Sequence, residues 1–79
     1  MTRSISDIAG DIGRAWDKPH YAAKTYLDAM RSLYSINDKY AYDSGKSIVL
    51  YFLANASTFR GEAAKALKAE LKAALKEST

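Results

Sequence analysis

The run Asp43-Ser44-Gly45-Lys46-Ser47 ends in the Gly-Lys-Ser that closes a phosphate-binding loop. Such a loop follows the pattern G-x-x-x-x-G-K-[ST], whose glycines let backbone N–H groups cradle the phosphates. In register, the first glycine falls at residue 40, which is Tyr40. The loop also needs a strand before it, and Tyr34-Ser35-Ile36-Asn37-Asp38 makes a poor one. The run is therefore expected to start a helix. Asp43 or Ser44 would cap it, with Gly45 in the first turn, where a small residue permits close packing.

Other catalytic constellations are equally thin. His20 is the sole histidine and there is no cysteine. A Ser–His–acid set can be drawn from His20 on paper, but any serine-bearing chain allows that. His20, following Pro19, is expected as an exposed first-turn residue. The aspartates lack metal-loop spacing of the D-x-D-x-D-G kind. Asp7 and Asp11 lie one helical turn apart and are expected on a solvated face. No catalytic residue, metal or cofactor is expected, and the chain reads as a non-enzyme.

Two patterns suit binding better. On the C-terminal segment Lys65, Lys68, Lys72 and Lys76 fall within about 80° of arc at helical pitch, with Arg60 just before them. Glu62, Glu70 and Glu77 fall on another arc. Like charges one turn apart destabilise a helix by a few tenths of a kcal/mol each, so the row does not serve helix stability. It is either a phosphate- or acid-binding face or a solvated face whose lysine stems cover the core edge. The second pattern is tyrosine. Tyr21, Tyr26, Tyr34, Tyr40 and Tyr42 precede Tyr51, and a core this small cannot bury every ring and hydroxyl. Tyr34, Tyr40 and Tyr42 are the expected surface contacts, since exposed tyrosines favour interfaces. Tyr26 and Tyr51 are the expected core members.

Four helical segments would position these residues. Ser4-Ile5-Ser6-Asp7 resembles a capping box. Ile5, Ile8, Ile12 and Trp16 then recur at helical spacing, widened by Ala9 and Ala15, so the first helix is predicted over about 5–16. Pro19 fits the first turn of a second helix over about 19–33, with Ala22, Tyr26, Ala29, Met30 and Leu33 on its buried face. The segment Ile48 to Ala54 is apolar all round, which puts a third helix, about 44–56, in the middle of a bundle. No segment alternates with period two, so a strand would lack a partner. A fourth helix, about 59–77, is capped by Thr58 and buries Ala63, Leu67, Leu71 and Ala74, bordered by Ala64 and Leu75. The fold expected is all-α: one domain over 1–79, a compact bundle of three to four short helices with a central buried helix.

The chain has 79 residues and no cysteine to staple it. A core of this size supplies only about 3–5 kcal/mol. Met1 to Gly13 lacks the apolar core of a secretory signal, and the longest apolar run falls far short of the ~20 residues that span a bilayer. A cytoplasmic protein without membrane contact is expected, and the sequon Asn55-Ala56-Ser57 is expected to be silent. Net charge is +3. Through Asp43, Arg3, Arg14, Lys18, Lys24, Arg31 and Lys39 balance Asp7, Asp11, Asp17, Asp28, Asp38 and Asp43. The surplus lies in the second half.

The run AYDSGKSIVLYFLANASTFRGEAAKALKAELK, with SINDKY before it and ISDIAGDI at the start, resembles small proteins of unassigned function encoded by phages, prophages and related bacterial mobile elements. The likeness spans residues 4–76 and is most specific in KSIVLYFLANASTFRGE. Such proteins more often carry Trp at the place of Phe59, and a more apolar loop at Lys18-Pro19-His20-Tyr21. The resemblance carries no catalytic residues. It implies a setting in a bacterial host cell, where small helical phage proteins often act by binding a host protein, for instance to inhibit a defence system such as CRISPR. The expected function is thus occupation of a host protein surface, with self-association as a variant. The alternative is a nucleic-acid-associated factor that uses Arg60, Lys65, Lys68, Lys72 and Lys76 on phosphates.

Overall fold

Ser4 starts the first helix, its hydroxyl accepting the Asp7 N–H at 3.2 Å. Helix α1 (Ile5–Ala15) buries Ile5, Ile8, Ala9 and Ile12, and Trp16 continues that stripe from the C-cap. Ala15, expected on the stripe, is exposed. The first N–H groups of a helix have no partner within it. Here Ile5 and Ser6 donate theirs to the carbonyls of Tyr34 (3.0 Å) and Leu33 (2.7 Å). The computed structural model describes residues 3–40 and 43–77.

Helix α2 (Tyr21–Met30) is shorter than its predicted span. Pro19 stands outside the first turn, and His20 is the cap, its Nδ1 accepting the Ala22 N–H at 3.2 Å. At the other end Ser32 and Leu33 donate to the carbonyls of Ala29 and Met30, so the chain tightens into turns. The buried residues are Ala23, Leu27, Ala29, Met30 and, beyond the helix, Leu33. Ala22 and Tyr26 are only half-buried. The doublets Ala22-Ala23 and Tyr26-Leu27 fit two phases of the same period, and packing selects the second.

A two-residue ladder follows, β1 (Lys39–Tyr40) antiparallel to β2 (Asp43–Ser44), pairing Lys39 with Ser44 and Tyr40 with Asp43. The sequence had no place for a strand. This ladder is too short to show an alternation, and it only turns the chain into the next helix.

Helix α3 (Gly45–Ala54) opens as expected. Ser44 caps it by accepting the Ser47 N–H at 3.2 Å. Gly45 N–H donates to Asp38 O at 2.6 Å. A Cβ on Gly45 would lie 2.8 Å from Ile36 O and 3.0 Å from the carbonyls of Ser35 and Asp38. The close approach is what requires glycine there. The helix buries Gly45, Ile48, Val49 and Phe52. Its apolar character runs further round than its burial, because Leu50 and Tyr51 are about half exposed.

Helix α4 (Glu62–Glu77) begins later than Thr58 would place it. Its first bond runs from Lys65 N–H to Gly61 O, and Gly61 has φ +111°, a left-handed conformation that favours glycine. The buried stripe is Ala64, Leu67, Leu71 and Ala74, while Ala63 is exposed.

Both α1 and α3 pack against α2 and α4. Phe52 is fully buried where they meet, edge-on to Trp16 with ring centroids 6.2 Å apart. Phe59 stacks on Trp16, with centroids 4.9 Å apart at 17°. This is the small all-α bundle the helical periodicities predicted.

Candidate interaction surfaces

Of the expected contact residues, Tyr34 is described in full, with 76% of its surface exposed. Its backbone is fixed on both sides. Its carbonyl accepts the Ile5 N–H, and its own N–H donates to Asp38 Oδ2 at 2.8 Å. The same carboxylate oxygen accepts the Ser35 N–H at 3.1 Å. Leu33 and Ile36 on either side are buried. An aromatic ring is thus held outward by a segment bonded to the starts of two helices. Tyr40 has its backbone in β1, and Tyr42 lies outside the described residues.

Tyr21 and Tyr51 were not in the expected contact set. Tyr21 is 86% exposed, as the first residue of α2 after its cap. Tyr51, expected in the core, is half exposed and leans on the half-buried Tyr26, with centroids 5.4 Å apart at 39°. Its outward turn follows from helical pitch only once the buried side of α3 is known. Gly45, Ile48, Val49 and Phe52 define one side of α3, and Tyr51 falls about 100° away from Phe52.

The basic row divides. Arg60, Lys65, Lys72 and Lys76 are exposed. Lys68 is half-buried, and its ammonium donates to Phe59 O at 2.7 Å while lying 5.7 Å from the Phe59 ring centroid. It holds the turn before α4 against the helix, so it serves the fold before it serves any outside anion. Burial, then the charges of Lys72 and Arg60, push its pKa below the ordinary lysine value. Among the described residues no carboxylate pairs with Arg60, Lys65 or Lys72.

Two carboxylates, Asp11 and Glu70, pair with arginines on another face. Arg3 donates from Nε and Nη2 to both oxygens of Glu70, at 2.9 and 2.8 Å, and from Nη1 to Asp11 at 2.6 Å. Arg14 adds a bond to Asp11. Arg3 first, helped by Arg14, holds the Asp11 carboxyl below its usual range, although partial desolvation opposes them. The cluster rims a shallow groove between α1 and α4 floored by Ala15, Ala63, Ala66 and Leu67. Two cations and two anions face each other there.

Among the described residues no three His, Asp or Glu side chains gather as for a metal ion, and no helix is long and apolar enough to cross a membrane. The architecture defines a small helical bundle whose distinguishing features are at its surface. Compared with known proteins, the chain matches no family model, no curated protein and no solved structure.

Proposed function

We propose that this chain is a non-enzymatic binding protein that works by occupying the surface of another protein, with Tyr34 at the contact. The observation that carries this reading is a largely exposed aromatic ring on a backbone tied to Ile5 and Asp38. Tyrosine brings a large apolar area with few rotors. A backbone already fixed before binding loses less entropy on association. On the sequence alone, Tyr40 and Tyr42 belong to the same proposed contact set. The partner is a protein of a bacterial host, in keeping with the resemblance to phage and mobile-element proteins, and inhibition of a defence system is the role that setting suggests.

The test is capture from host lysate followed by mass spectrometry, run in parallel with the Tyr34→Ala and Lys65→Gln/Lys72→Gln variants. One stoichiometric protein, lost with Tyr34→Ala and kept with the lysine variant, supports the reading. Capture that is indifferent to Tyr34 sinks it.

The unpaired cations Arg60, Lys65 and Lys72 favour a second reading, a nucleic-acid-associated factor. Affinity would then fall steeply with salt, with a log–log slope near −0.9 for each phosphate neutralised on duplex DNA. A gel-shift series from low to physiological salt decides it: no complex with any duplex or single strand at low salt removes this alternative.

A further inference from the structure

Between Phe59 and the start of α4 lies a cavity of about 340 Å³ lined by Phe59, Arg60, Gly61, Ala64, Lys65 and Lys68. Three of its six lining residues are cations and none is an acid. Glu62, the nearest carboxylate along the chain, does not line it. The left-handed Gly61 is what brings Arg60 and the first turn of α4 to one rim. Arg60 is committed only weakly, through Nε to Ser57 O at 3.3 Å. Lys68 spends one of its three donors on Phe59 O at 2.7 Å, which fixes the ammonium at the cavity wall and leaves two donors free. Lys65 is exposed and forms no ion pair among the described residues.

We propose that this cavity is a binding site for a phosphomonoester dianion, held by Arg60, Lys65 and Lys68. Arg60 stands close enough to Lys68 to repel it, and a doubly charged tetrahedral anion among the three lining cations relieves that repulsion while accepting several charge-assisted hydrogen bonds. Arg60 suits the paired oxygens of such a group, and the lysines act as point charges. A monoester carries nearly two negative charges at neutral pH, whereas a diester carries one, so the cavity prefers the monoester. The cations make the site. The site stands independently of the protein contact at Tyr34.

The test is an amide NMR titration of the full chain with phenyl phosphate, at ionic strength held constant with sodium chloride. Dimethyl phosphate is the diester arm. The expected result is saturable shifts confined to residues 59–65 and Lys68, with dimethyl phosphate several-fold weaker. Arg60→Gln and Lys65→Gln, both at exposed positions, each weaken phenyl phosphate several-fold while the rest of the spectrum stays unchanged. Lys68→Gln is the obvious third variant, but it removes the bond to Phe59 and loosens the turn. Shifts that never saturate, that spread to Lys72 and Lys76, or that are equal for monoester and diester overturn the proposal.

Discussion

Lys68 is joined to Phe59 by a 2.7 Å hydrogen bond from its ammonium to the backbone carbonyl, across a turn that Gly61 makes possible. Its half-buried position and the neighbouring charges of Lys72 and Arg60 disfavour the charged form. Between its depressed value and the ~10.4 of a free lysine, the unfolded chain therefore binds more protons than the folded one. This group's contribution to stability thus rises with pH across that window. A ¹³Cε titration should find the Lys68 midpoint below the free-lysine value, and Lys72→Gln should raise it by removing a like charge. An unmoved midpoint in Lys72→Gln would show that the two charges do not interact.

Two glycines should respond to alanine with opposite signs. Gly10 lies inside α1, where an added Cβ meets only the flexible end of Arg14, at 3.6 Å. Gly10→Ala gains helix propensity and should stabilise by about 0.5–1 kcal/mol. At Gly45 the same gain is outweighed, because three backbone carbonyls stand within 3.0 Å of the new methyl and cannot swing away. Gly45→Ala should destabilise by about 1–3 kcal/mol. Urea unfolding of the pair reads both signs.

These two sites also mark where sequence reading works. Ser4 and Ser44 were legible because caps are local, set within four residues of the chain, whereas the carbonyls that Gly45 approaches lie seven to ten residues back. The buried phase of α2 was not, because adjacent apolar doublets leave two faces equally apolar until neighbours choose. On α3 an apolar residue at nearly every position hid the outward turn of Leu50 and Tyr51. The Arg3–Glu70 bridge spans 67 residues, so only the tertiary fold brings it together. Lys68 looked like one member of a row because its role depends on Gly61 folding Phe59 back over it. Tyr34 was legible as an exposed residue by its place in a loop.

The bridge should show in salt and in acid. Glu70→Gln removes the charge and one of the two acceptors that pin Arg3 to α4, so the unfolding midpoint should fall at low salt. The difference from the parent should shrink in 1 M salt, where the Debye length is about 3 Å. Asp11 is held ionised by Arg3, so its folded pKa lies below its unfolded one. Its contribution is present above the unfolded value of ~3.9 and is lost as pH falls through the folded value. In Asp11→Asn the loss of stability below about pH 4 should be smaller than in the parent, as a urea series across acid pH would register.

Phe52 tests how little stability the core holds in reserve. It is fully buried and touches Trp16 edge-on. Truncating a buried phenylalanine costs about 3–5 kcal/mol, which matches the ~3–5 kcal/mol a core of this size supplies. Phe52→Ala should lose its cooperative thermal transition by circular dichroism, while Phe52→Leu keeps most of the volume and should still fold. A cooperative transition in Phe52→Ala near the parent's would mean the core is far stronger than its size suggests.

Asp38 separates the stability of the Tyr34 platform from its chemistry. Its carboxylate accepts the N–H groups of Tyr34 and Ser35, and its carbonyl accepts that of Gly45. Alanine keeps the carbonyl and removes only the carboxylate, leaving two backbone donors to water, at about 1–3 kcal/mol. Hydrogen exchange of the Tyr34 and Ser35 amides should then accelerate far more than that of Gly45. If Tyr34 binds its partner as a pre-ordered anchor, Asp38→Ala should weaken capture although the ring itself is intact, chiefly through a slower association or a faster release that Tyr34→Phe does not reproduce. Binding unchanged in Asp38→Ala, with exchange accelerated, would show that the contact does not depend on the tied loop.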